Sequence, residues 1–92
     1  MQLEIVSPER VLLKGEVESV TVPGIDGKFQ MLNNHAPVVS VLEEGYISLK
    51  LIGEIAEEYK DNFFQGTDGE ISIEITGGVL EMNNNKAIVL VD

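Results

Sequence analysis

The sequence predicts an all-β chain, an antiparallel β-sandwich of about ten short strands. Three observations predict it. Apolar and polar residues alternate in short runs, most cleanly where Ile71, Ile73 and Ile75 are set against Glu70, Ser72 and Glu74. Glycine, proline and asparagine clusters end each run after a few residues. The one stretch with helical spacing, Ile55 to Tyr59, is too short for a helix that is stable alone. With 92 residues and no repeat or low-complexity linker, the whole of 1–92 is expected to form a single domain.

In chain order, Leu3 and Ile5 alternate with Gln2 and Glu4 as a half-buried strand does. Pro8 lacks the donor a ladder needs, so Ser7-Pro8-Glu9-Arg10 is a turn. Val11–Lys14 is a second short strand, and Gly15 is expected to turn the chain. From Glu16 to Val22 the alternation puts Val20 and Val22 with Glu18 on one face. Val17, Ser19 and Thr21 take the other. Gly24-Ile25-Asp26-Gly27 is a hairpin turn, followed by a strand with Phe29 and Met31 on one side. Leu32–Pro37 is a loop whose asparagines tolerate left-handed backbone. Val38–Leu42 is apolar except at Ser40 and alternates weakly. After the Glu43-Glu44-Gly45 turn, Ile47, Leu49 and Leu51 point inward. Residues 53–69 are expected to form an extended hairpin insertion. Gly77-Gly78 is a bend or bulge. Asn83–Lys86 joins two last strands, the second of which is apolar on both faces: Ala87, Val89 and Val91 against Ile88 and Leu90. One set fills the core and the other needs a separate cover.

Charge narrows the function. Sixteen acidic and six basic residues leave a formal charge of -10, which repels nucleic-acid phosphates and anionic headgroups. Neither a nucleic-acid partner nor direct lipid insertion is expected. No apolar run approaches the roughly 20 residues of a membrane helix. Met1-Gln2-Leu3-Glu4 lacks the basic start of a signal peptide. Cysteine is absent, which excludes disulfides and thiolate metal sites.

Catalytic patterns are missing. His35 is the only histidine, and no ligand spacing surrounds it. Ser40 lies five residues beyond it, but the Gly-x-Ser-x-Gly of a nucleophile elbow does not occur. Gly24-x-x-Gly27 is too short to cradle a phosphate and carries Asp26 where a phosphate would sit. Lys86 follows three asparagines, unlike the lysine of a biotin or lipoate carrier hairpin. No cofactor is expected. The weak alternation of Val38–Leu42 and the two-faced last strand point instead to uncovered apolar surface, and so to a protein partner. On the residues alone, the chain is an acidic β-sandwich that binds a protein.

Several stretches, in order and spacing, resemble the epsilon-subunit family of F-type ATP synthases, specifically its N-terminal β-sandwich domain. They are Leu3-Glu4-Ile5-Val6-Ser7-Pro8-Glu9, Gly15–Val20, Pro23-Gly24-x-x-Gly27, Leu32-Asn33-Asn34-His35-Ala36-Pro37, the Gly45 turn, Gly77–Glu81 and Asn85–Leu90. The resemblance implies a non-catalytic rotor subunit of the central stalk. It would link the gamma subunit to the polar loops of the c-ring, on the cytoplasmic face of the cell inner membrane, and couple ion translocation to ATP synthesis. It implies a ring-facing loop at Asp26, Gly27 and Lys28. It implies a gamma-facing flank of Ser7, His35, Val38, Val39, Ser40, Val41 and Leu42. The helical hairpin that many members carry beyond the sandwich has no counterpart before Asp92, so neither ATP binding nor inhibition by that route is expected. The alternative is an unrelated acidic β-sandwich binding module, which would line a groove with exposed aromatics.

Overall fold

The computed structural model describes every residue, Met1–Asp92. Nine strands form one mixed sheet that folds over on itself: β1 (Gln2–Val6), β2 (Val11–Gly24), β3 (Gly27–Leu32), β4 (Val38–Leu42), β5 (Gly45–Leu51), β6 (Phe64–Gln65), β7 (Ile71–Ile75), β8 (Gly78–Asn83) and β9 (Lys86–Val91). β1 pairs with both β2 and β9, and β4 with both β8 and β2, so these strands close a ring. The outer half of β2 then carries β3 on one edge and β5, β7 and β6 on the other. β2 therefore belongs to both layers of the sandwich.

Three expectations change. The sheet is not fully antiparallel, because β1 and β9 run in parallel from Gln2/Lys86 to Val6/Leu90. No local signal reports a pairing between strands so far apart in the chain. Gly15 does not turn: it lies opposite Leu3 inside a continuous 14-residue β2. Its backbone is not left-handed and an added Cβ would make only ordinary contact with Leu51, so nothing there exploits glycine. Finally, a register shift between Val17 and Ser19 moves Val17 onto the same inner face as Val20 and Val22. A bulge of this kind reverses the alternation on one side of it.

Residues 53–69 are only partly a hairpin. Within the expected extended hairpin, Glu57–Asn62 form a 3-10 helix, and only Phe64–Gln65 pairs, against β7. The segment stays down because Ile55, Tyr59 and Phe63 pack on the core. Asn62 Nδ2 also donates to the Leu12 carbonyl at 3.0 Å.

The turns follow their residues. Gly24 is required by close approach, since a Cβ there would come within 2.7 Å of the Gly27 carbonyl oxygen. Asn84 and Asn85, at φ 52° and 58°, form the two-residue left-handed turn that suits the twist of the β8–β9 hairpin. The core holds twenty buried apolar side chains and no buried polar one. At the end where the chain begins, the Met1 ammonium donates to Asn33 Oδ1 (2.6 Å) and the Val17 carbonyl (3.2 Å). The Asn34 N–H donates to Asn85 Oδ1 at 2.7 Å, tying the His35 loop to the β8–β9 turn.

Candidate docking surface

A strand sends alternate side chains to opposite faces, and residues paired across strands share a face. In the layer β1-β9-β8-β4 the inward set is Leu3 and Ile5, Ala87 and Val89, Leu80 and Met82, with Leu42 at its edge. The outward set forms three rows, one of them polar: Gln2, Lys86 and Asn83, with Lys86 paired to Glu4 at 3.2 Å. Val6, Leu90, Val79 and Val41 are successive register partners, as are Glu4, Ile88, Glu81 and Val39. Val39 is 69% exposed, Val41 53% and Leu90 55%. Between Val79, Glu81, Ile88 and Leu90 lies a shallow apolar depression of about 200 Å³.

The flank expected from sequence is split by this geometry. Val39 and Val41 stand on the outer face. Leu42 points into the core and is buried, so it supports the strand rather than offering a contact. Val38 and Ser40 share that inward side, half-buried, and the Ser40 hydroxyl donates to the Val41 carbonyl at 3.3 Å. His35 is exposed, with Nδ1 2.7 Å from the Ala36 carbonyl oxygen, and Ser40 is not among its partners. Ser7 lies beyond the end of β1, three strand spacings, or about 14 Å, across the layer from β4. Its Oγ accepts from the Arg10 N–H at 3.3 Å, and its own N–H donates to the Arg10 carbonyl at 2.9 Å, which fixes the turn. Ser7 and His35 thus mark opposite corners of one face and do not meet.

Val79, Ile88 and Leu90 were not among the expected flank residues, although the structure sets them between its members. The two-sided apolar pattern of the last strand was their signal. Assigning them to this face takes the β4–β8–β9 register.

The Asp26-Gly27-Lys28 turn is exposed at one end of the sandwich. It adjoins the apolar face, because the Ile25 N–H donates to the Val41 carbonyl at 3.0 Å and the Ile25 side chain is exposed. The other layer has a different exterior. Thr21, Ser48 and Ser72 lie side by side, with a 2.9 Å hydrogen bond between the two serines. Beside them an open basin is lined by Glu18, Ser19, Gln30, Lys50, Asp68 and Glu70, with Leu32 its one apolar residue. Tyr46 and Phe64 form a lone edge-to-face pair there, their ring centroids 5.7 Å apart. No group of three His, Asp or Glu side chains is placed to hold a metal ion.

Comparison with known proteins gives a consistent result. A family profile described as "ATP synthase, Delta/Epsilon chain, beta-sandwich domain" matches residues 1–92. The ATP synthase epsilon chain of Chlorobium limicola is 36% identical over 91 residues, 99% of this chain and 88% of that one. The epsilon chain of Leptospira borgpetersenii is 34% identical over 92 residues, and this chain spans 61% of its length. Among solved structures, a chain from the central stalk and c-ring of the Tetrahymena thermophila mitochondrial ATP synthase shares the fold, with a TM-score of 0.74 at 16% identity. The match covers 99% of this chain and 62% of that one.

Proposed function

The chain belongs to the delta/epsilon-chain β-sandwich family of ATP synthase, and on that premise we propose that it is the central-stalk subunit joining the gamma subunit to the c-ring. Its work is mechanical rather than chemical. It holds two docking surfaces at a fixed separation while the ring turns, at the cytoplasmic face of the inner membrane, and so couples ion translocation to ATP synthesis.

One observation carries this reading: an apolar strip that runs unbroken across four strands of one outer face, where the opposite exterior is mostly polar and its apolar residues include Leu32 and the Tyr46–Phe64 pair. A layer already packed on its partner layer gains nothing from Val39, Val41, Val79 and Leu90 on its outside. Exposed apolar surface of this kind is stabilised by a protein that covers it. Val39 and Val41 are the centre of the gamma-facing flank, with Val38, Ser40 and Leu42 behind them and Ser7 and His35 at its corners. Asp26, Gly27 and Lys28 face the polar loops of the ring. Being exposed and charged, they suit a wet contact that forms without burying the turn.

The experiment is co-assembly of the full chain with gamma and the c-ring. The chain should co-purify with both. Val39→Ser/Val41→Ser should lose gamma while keeping the circular-dichroism spectrum of the native fold. Retention of gamma by that variant would move the interface elsewhere.

A further inference from the structure

The chain has six basic side chains among sixteen carboxylates. Lys50, Lys60 and Lys86 each lie within 4.0 Å of a carboxylate, on Glu18, Glu57 and Glu4. Lys14 and Lys28 make neither an ion pair nor a side-chain hydrogen bond. Arg10 differs from all of these. It has no carboxylate within reach, yet it is held: Nη2 donates to Asn62 Oδ1 at 3.0 Å. Asn62 cannot swing away freely, because its Nδ2 is engaged with the Leu12 carbonyl. A neutral amide therefore orders the guanidinium without cancelling its charge.

The position of Arg10 gives this meaning. It ends the turn that begins at Ser7. The next residue, Val11, is exposed and pairs in register with Val6, which in turn pairs with Leu90. The apolar row Val41–Val79–Leu90–Val6–Val11 thus ends one residue from Arg10, whose guanidinium is held at Asn62 with no carboxylate within 4.0 Å. An apolar centre with a charged rim is the normal anatomy of a protein interface, and arginine is enriched among its strongest contacts. A guanidinium that gives one N–H to Asn62 keeps the donors needed to grip a carboxylate.

We infer that Arg10 is a docking residue that meets a carboxylate on the gamma subunit, and that Asn62 is the positioning residue that aims it. The inference rests on the assignment of this face to gamma and adds the chemistry of one contact. It also gives residues 53–69 a role, since through Asn62 they brace a turn of the docking face. Ordering the side chain before contact lowers the entropy lost on binding.

The test measures binding of the full chain to a gamma-containing subcomplex at low and high salt. Arg10→Ala should weaken binding about 10- to 100-fold and flatten its salt dependence, with Arg10→Lys between it and the native chain. Asn62→Ala should cost about three- to fivefold, mostly in the dissociation rate, and nothing further when Arg10 is already alanine. Asn62→Asp is the sharpest variant, since it places a carboxylate against Arg10. It also removes the Nδ2 donor to the Leu12 carbonyl, so its melting temperature should fall; its loss of gamma binding should exceed that of Asn62→Ala and vanish when Arg10 is already alanine, which a purely structural role for Asn62 does not produce. If Arg10→Ala and Asn62→Asp bind normally while Val41→Asp does not, the Arg10 contact is wrong and the docking face stands. If Val41→Asp also binds normally, both fall.

Discussion

The two exteriors of this sandwich are made by the same alternation and have opposite character. On β1-β9-β8-β4 the outward positions are valine, leucine and isoleucine around two glutamates, with a polar row of Gln2, Lys86 and Asn83 at one end. On the layer of β2, β5 and β7 they are Thr21, Ser48, Lys50, Ser72 and Glu74 around one aromatic pair. The inner faces are alike, apolar and buried, so folding alone does not explain the contrast. A solvated exterior is served by serine and threonine. In the proposed function, the first layer keeps its apolar exterior for a contact outside the chain.

The comparison can be tested from the largest effect down. Leu80 and Val79 are neighbours on β8 that face opposite ways. Leu80→Ala should cost about 2–5 kcal/mol of folding stability in urea titration, because it opens a cavity in a packed core. Val79→Ala should cost far less. Val41→Asp should cost about 2–4 kcal/mol of gamma binding with the fold retained, and its opposite on the other exterior, Ser48→Asp, should leave gamma affinity within about twofold. Equal losses from the two would erase the distinction between the faces. At the exposed turn, Asp26→Lys should weaken contact with the ring by about 1 kcal/mol or less, with a strong dependence on salt. Glu57→Ala is the smallest change. It removes an exposed ion pair to Lys60 3.1 Å long, and stability should move by less than about 0.5 kcal/mol.

Much of the inner surface was legible in the sequence. The isoleucines of β7 and the split of β9 into Ala87, Val89, Val91 and Ile88, Leu90 fall where period-two alternation puts them. What could not be read depended on partners far along the chain. The bulge at Val17–Ser19 leaves no mark on composition, and it alone decides which way Val17 points. The parallel contact of β1 with β9 is invisible to any local window. Val38–Leu42 shows the same limit inside the proposed docking face. Its residues read as one weakly alternating run, and pairing with β8 divides them into outward Val39 and Val41 and inward Leu42. Arg10 and Asn62 are 52 positions apart, so their meeting was beyond sequence reasoning altogether.

The ring closed by β1 has a consequence for synthesis. β1 lies between β2, made next, and β9, the last of the nine strands to be made. On the ribosome the β1–β2 hairpin is available early, but the edge of β1 that β9 covers stays open until Lys86–Val91 has left the exit tunnel. Until then Leu3 and Ile5, fully buried in the finished domain, lack their neighbours Ala87 and Val89. Pairing that waits for the last strand raises contact order, slows folding and leaves a sticky edge exposed. A nascent chain stalled before Lys86 should therefore recruit chaperones, whereas one whose Val91 has cleared the tunnel closes on itself.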